Sequence, residues 1–227
     1  MILAIETATP SGSVALVSGD GVLARAGLPQ GRQASETILP AVEGLFRESR
    51  TDAKGVTHVA VSAGPGSFTG LRVGMAAAKG FCFGLGVRIV PVPTLHALAL
   101  RFPFPGGTVC PVLDAKKNEV YCALFRWDGD GCRRVLEDMA LPPEGVPDRL
   151  PGGRVLFCGD GAFSFRPLFR ERLGERACFP PEGEGRPDAS AVGIMASRLL
   201  LDDGAADLRT LVPAYHRSSE AELKRRG

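Results

Sequence analysis

Two stretches of this chain spell out the same succession of elements, and that repetition constrains the fold more than any single motif. Ile2 to Glu6 reads as a short apolar strand ending in an acid. The polar corner Thr7-Ala8-Thr9-Pro10-Ser11-Gly12-Ser13 follows, then a strand from Val14 to Val17, the turn Ser18-Gly19-Asp20-Gly21 and a strand from Val22 to Ala26. In the second half Val109 to Leu113 is a strand leading into Asp114, Val120 to Phe125 is a strand, Asp128-Gly129-Asp130-Gly131 is a turn, and Cys132 to Leu136 is a strand. One such match is within chance, but a matched order of elements argues for duplicated lobes.

The rest of each half completes a mixed sheet flanked by helices. From about Ser35, whose hydroxyl can cap free N–H groups, Ile38, Leu39, Val42, Leu45 and Phe46 gather on one broad helical face, with Pro40 placed in the first turn. Thr57 to Ser62 is a strand, about Thr69 to Phe83 a helix, Arg88 to Val92 a strand, and residues 94–101 a further helix. The run Phe102-Pro103-Phe104-Pro105-Gly106-Gly107 then interrupts the pattern, as Pro and Gly clusters do at lobe boundaries. The reading is an α/β protein of two ribonuclease-H-like lobes, residues 1–103 and 104–227. The second lobe is reduced: residues 141–153 and 179–187 are connectors, Val155 to Cys158 is a strand, and short helices fit at about 164–173 and 188–201. The last of these carries Val192, Met195 and Leu199 and has the option of packing back on the first lobe.

Composition narrows the classes further. Hydrophobic residues at 44% and charged residues at 23% of 227 are those of a chain that folds, not of a disordered one. A net charge of +2, spread along the chain, excludes a dominant nucleic-acid footprint. The local exception is the tail, where Arg217, Lys224, Arg225 and Arg226 make either a solubilising terminus or a weak RNA contact. Apolar runs are broken well short of a membrane span, and the start of the chain lacks a charged leader, so a cytoplasmic protein is expected. Cys82, Cys110, Cys122, Cys132, Cys158 and Cys178 form no CxxC pair and sit mostly in apolar runs, as free buried thiols do.

Gly64-Pro65-Gly66-Ser67-Phe68-Thr69-Gly70-Leu71-Arg72-Val73-Gly74 joins a strand to a helix. It matches neither the dinucleotide fingerprint nor the P-loop. Its free N–H groups form either an anion cradle or a structural turn in which Ser67 or Thr69 caps the helix. Along that helix Gly70, Gly74 and Ala78 form one row and Ala76, Gly80 and Gly84 another. Each interior glycine costs about 0.5–1 kcal/mol relative to alanine, so close approach of backbone must offset it, either inside one domain or at a second chain.

Glu6 and Asp114 end equivalent strands and are the pair able to face each other around Mg²⁺ and a nucleotide. Neither is followed by a glycine-rich phosphate turn, and Lys116 and Lys117 fit an anion contact or a solvated corner equally well. His58, His96 and His216 are too dispersed for a metal motif, and no G-x-S-x-G elbow is present. Catalysis is therefore expected to be absent or supplied by another chain. An independent actin-fold ATPase or phosphotransferase using Glu6 and Asp114 is the alternative.

Those residues carry a resemblance. Ile2-Leu3-Ala4-Ile5-Glu6-Thr7-Ala8-Thr9, the glycine loop through Gly74, Leu113-Asp114-Ala115-Lys116-Lys117-Asn118-Glu119-Val120-Tyr121 and Pro213-Ala214-Tyr215-His216-Arg217 are similar to the signatures of the TsaB (YeaZ) family, small actin-like relatives of TsaD. The resemblance implies a noncatalytic partner of a TsaD-like catalytic subunit and a TsaE-like ATPase. Together they attach a threonylcarbamoyl group to the adenosine beside the anticodon of tRNAs reading codons that begin with A. It implies that ATP, any nucleotide or any metal belongs mainly to the TsaD-like partner, with none bound by this chain alone, and that tRNA is met indirectly or weakly. It also implies a homodimer when the chain is alone, through first-lobe helices that overlap the TsaD surface. Ser35, Ile38, Leu39, Val42, Leu45, Gly70, Leu71, Gly74, Met75 and Ala78 are the residues implied for that surface. Two positions depart from the family pattern: Arg32-Gln33-Ala34-Ser35 lacks its usual His, and Glu6 stands where Asp is common.

Overall fold

The computed structural model describes residues 1–128, 131–181 and 183–214. Strands β1 (Ile2–Glu6), β2 (Ser13–Ser18), β3 (Gly21–Gly27), β4 (His58–Gly64) and β5 (Arg88–Pro93) form one sheet in the order β3-β2-β1-β4-β5. The β1–β2 and β2–β3 pairs are antiparallel, whereas β4 and β5 run parallel to β1. The second sheet, β6 (Thr108–Lys116), β7 (Glu119–Asp128), β8 (Gly131–Leu141), β9 (Val155–Cys158) and β10 (Ala177–Cys178), has the order β8-β7-β6-β9-β10 with the same antiparallel and parallel pairings. The two sheets are one topology used twice, as the repeated sequence order predicts.

Burial on both faces explains why β1 reads as an unbroken apolar run. Leu3 and Ile5 point into a core shared with α1 (Ala34–Ser49) and α2 (Phe68–Leu85), where Ile38, Val42, Leu45, Met75 and Ala78 pack. Ile2 and Ala4 point the other way, into a core with α3 (Thr94–Leu100) and α6 (Ala189–Leu199). The small residues Ala4, Ala15 and Ala60 on that face admit α6 at close range. A Cβ on Gly193 would stand within 3.0 Å of Val17. The final helix thus lies on the first sheet, and Ser13 Oγ accepts the Ala189 N–H at its start.

Helix α3 fills the space between the sheets. Ala97 and Leu100 join the core of Ile2 and Ala4, while Leu95, Leu98 and Ala99 pack with Val109, Leu113, Tyr121 and Phe125 of the second lobe. The outer face of the second sheet is covered by α4 (Asp160–Ser164) and α5 (Arg166–Leu173), with Phe157 and Phe169 stacked 4.4 Å apart.

Several boundaries differ from the sequence expectation, each for a reason visible in the structure. Helix α1 starts at Ala34 after Gln33, and Ser35 makes no cap, so Pro40 lies inside the helix and not in its first turn. Helix α4 begins at Asp160, before the expected position near residue 164, because Gly159 turns the chain at φ 102°, a conformation open to glycine. Strand β8 runs beyond Leu136 to Leu141. It is an edge strand along which faces alternate: Glu137 points to solvent, whereas Asp138 points inward, where Arg134 bonds it and lies over the buried Phe125 ring. The middle of the second turn, Gly129-Asp130, and the basic tail with Arg217, Lys224, Arg225 and Arg226 lie outside the described residues, as does His216.

Candidate functional site

The end of β1 delivers Glu6 into the interior, where it is fully buried. Its Oε1 accepts the Ala8 N–H at 2.5 Å and its Oε2 the Ser62 hydroxyl from β4. Burial pushes the carboxyl up to about 7; the hydrogen bonds from Ser62, Ala8 and Thr9 pull against that shift without cancelling it. Asp114, at the matched end of β6, is a different kind of residue. It sits at the surface, where its oxygens accept the Lys116 N–H at 2.7 Å and the Lys116 ammonium at 2.8 Å. Partial burial would raise its pKa, but the bonds to Lys116 and the charge beside it outweigh that, and the net shift is downward.

The expectation that these two acids face one another around a ligand is therefore corrected. Both Glu6 oxygens are spent on its own lobe, and neither acid is among the charges that shift the other. Asp114's carboxylate neighbour is Asp160, whose Oδ1 accepts the Asp114 N–H at 3.1 Å and whose pKa burial raises. Among the described residues no group of three His, Cys, Asp or Glu side chains could hold a metal ion.

The glycine loop is explained by the same corner. Ser67 N donates to the Ala8 carbonyl, and Ser67 Oγ accepts the Gly70 N–H, which selects the capped structural turn over the anion cradle. Thr7 then lies directly on α2: its hydroxyl donates to the Gly70 carbonyl at 2.8 Å. A Cβ on Gly70 would fall within 3.0 Å of the Thr7 carbonyl oxygen, and one on Gly74 equally close to Thr7 Oγ1. The row Gly70, Gly74, Ala78 is small because this chain's own Thr7 and core press on it. A leucine at Gly74 would disturb the fold before it reported on any partner.

The ten residues expected at a partner surface separate accordingly. Ile38, Val42, Leu45, Leu71, Gly74, Met75 and Ala78 are buried in this chain, and Gly70 is half-buried. Ser35 and Leu39 of α1 are exposed, Leu39 at 55%. The second row of α2 is the open one: Ala76, Gly80 and Gly84 are exposed, and added Cβ atoms on the two glycines meet nothing within 4 Å. Phe83 stands beside that row at 88% exposure. Sequence spacing found both rows, but only Thr7, sixty-odd residues away along the chain, decides which one faces inward. Ser62 and Asp160, the partners of the two acids, have no local signal at all.

Comparison with known proteins connects this geometry to a family. A family model described as TsaD, tRNA N6-adenosine threonylcarbamoyltransferase, matches residues 28–224. The tRNA threonylcarbamoyladenosine biosynthesis protein TsaB of Bacillus subtilis is 28% identical over 225 residues, 98% of this chain and 96% of that protein. This chain belongs to the TsaB (YeaZ) family. The TsaB of Escherichia coli is 36% identical over 152 residues, 66% of this chain and 65% of its own length. A Pseudomonas aeruginosa structure described as similar to peptidase YeaZ superposes with a TM-score of 0.81 at 25% identity, covering 95% of this chain and 99% of that one. The TsaB-family fold seen here is the two-lobed, actin-like build that relates it to TsaD.

Proposed function

We propose that this chain is the noncatalytic partner subunit that works with TsaD-like and TsaE-like proteins to transfer a threonylcarbamoyl group to the adenosine next to the anticodon of tRNAs reading A-starting codons. The observation that carries the reading is the end-to-end similarity to a TsaB of nearly equal length. The geometry adds that Glu6, the first-lobe acid matched to Asp114, is consumed inside the fold. In this reading the transfer chemistry, ATP and any metal sit with the TsaD-like partner, and the protein works in the cytoplasm where tRNA is modified. The division at residues 1–103 and 104–227 assigns docking to the first lobe, with α6 contributed to it by the second half.

The docking face is redrawn from the exposed side of the first-lobe helices: Ala76, Gly80, Phe83 and Gly84 on α2, with Ser35 and Leu39 on α1. Glycine steps let a neighbouring helix approach closely, and Phe83 supplies an aromatic anchor of the kind that dominates interface energetics. The same face serves for a homodimer when the chain is alone. The test is reconstitution of tRNA modification from purified TsaD-like and TsaE-like proteins with and without this chain. Modification that proceeds equally well in its absence would remove the proposal.

A further inference from the structure

A second recess lies away from Glu6, Asp114 and the α1–α2 face. Two neighbouring cavities, about 570 and 390 Å³, share Arg25, Arg101 and Asp188. They are bounded by β3, the end of α3, the start of α6 and the corner Ser11-Gly12-Ser13. Their size is that of a small-molecule site.

The lining divides by chemistry. Part of it is apolar, with Val22, Leu100, Ala191 and Ile194. The rest includes arginines from separate places: Arg25 from β3, Arg101 after α3, Arg186 before α6, and Arg198 at the end of α6. Arg186 is fixed by donating to Ser11 Oγ at 3.0 Å, and Arg101 by donating to the Arg186 carbonyl. Arg25 is held loosely, 3.7 Å from Asp188 with 67% of its side chain exposed. Asp20, Glu184 and Asp188 also line the recess, which leaves an excess of one positive charge. Asp188 is already engaged, since its Oδ1 accepts the Ser190 N–H at the helix start.

Ser190 supplies the independent observation. It lines the recess at 9% exposure, and its hydroxyl has no hydrogen-bond partner among the described residues. A buried hydroxyl without a partner is costly, and native structures rarely keep one unless something else binds it. Arginine forks pair with phosphate oxygens, and an apolar wall beside them suits an organic body.

We propose that the recess between β3, α3 and α6 binds a small organic phosphate, its phosphoryl group among Arg25, Arg101 and Arg186 and its apolar body against Leu100, Ala191 and Ile194. The site is separate from the partner face and stands or falls without it.

Titration calorimetry on the full chain, without Mg²⁺, tests the assignment with adenosine monophosphate, phenyl phosphate, benzoate and inorganic phosphate. The organic phosphates should bind at sub-millimolar concentration, at least about tenfold more tightly than inorganic phosphate or benzoate. Arg25→Glu should weaken them at least about tenfold. Ser190→Ala should weaken them several-fold while leaving the unliganded chain as stable as before or more so, because the orphaned hydroxyl is gone. Asp114→Ala should change nothing. No binding of either organic phosphate at millimolar concentration would overturn the proposal. So would binding that survives both Arg25→Glu and Ser190→Ala, binding abolished by Asp114→Ala, or benzoate binding as tightly as phenyl phosphate.

Discussion

Replacing Glu6 by glutamine should flatten the pH dependence of this protein's stability. In the unfolded chain the carboxyl titrates near 4.5, and in the fold it titrates near 7. Below pH about 4.5 both states carry the proton and burial of Glu6 is harmless. Between the two values the folded state keeps a proton that the unfolded state has released, so stability falls as pH rises. Above about 7 the loss is complete. At about 1.4 kcal/mol per unit, the displacement corresponds to about 3 kcal/mol. For a chain of this length that is about 6–12 °C in Tm.

Glutamine reproduces the protonated acid. Its carbonyl oxygen can accept from Ala8 N, and its amide can donate to Ser62 Oγ, which occupy the places seen around Glu6. Urea and thermal unfolding of both proteins, on either side of the window, provide the measurement. The comparison must be between variants, because other groups titrate nearby. Asp160, raised by burial, adds a slope of the same sign, whereas His58 and His96, both lowered by burial, give stability that is lost as pH falls. The Glu6→Gln chain should gain on the parent by about 3 kcal/mol between the acid and alkaline limits. Parallel pH profiles for the two proteins would show that Glu6 is ionised at no cost, and the account of its burial would be wrong.

The other predictions concern α2. Gly74→Ala should cost about 1–3 kcal/mol by overpacking against Thr7, and Thr7→Ala about 1 kcal/mol through its bond to Gly70. The double variant should lose less than the sum, measured as a double-mutant cycle in urea; simple additivity would contradict the contact. Gly80→Ala should stabilise the isolated chain by about 0.5–1 kcal/mol, since its added methyl meets open space. The same change should weaken self-association or capture of a TsaD-like partner in sedimentation experiments if α2 is approached closely there. Phe83→Glu should change the stability of the isolated chain by no more than about 0.5 kcal/mol, yet reduce that association at least about tenfold. Undiminished association in Phe83→Glu would move the docking face elsewhere.

The duplicated build was legible because β1 to β9 announce themselves locally, through apolar runs and turns, and because the order is written twice; the two-residue β10 carries no such run and was missed. The boundaries missed were set by tertiary context or, at the start of α4, by the backbone of Gly159. Pro40 lies inside α1, and β8 continues through Glu137, which meets water, and Asp138, which is held by Arg134 on the inner face. For the site, the sequence picked out Glu6, Asp114 and the glycine loop, but not what each touches. Glu6 is silenced by Ser62 and the glycine row by Thr7, both through contacts between distant segments. Spacing along one helix reports which residues share a side; it does not report whether that side meets the home sheet or the outside. The arginines of the recess come from three separate stretches of chain, at β3, after α3 and around α6, and no short window of sequence contains them together.

The return of α6 to the first sheet has a consequence for how the chain is made. Ile2, Ala4, Ala15 and Val17 leave the ribosome well before Val192, Met195 and Ala196, which cover them. Until then one flank of the opening sheet has only α3 to shield it. No single cut separates the protein into two self-sufficient halves: a fragment ending at the interlobe proline-glycine run would expose alanine-lined β-surface to aggregation, and supplying residues 189–199 as a separate peptide should restore its solubility.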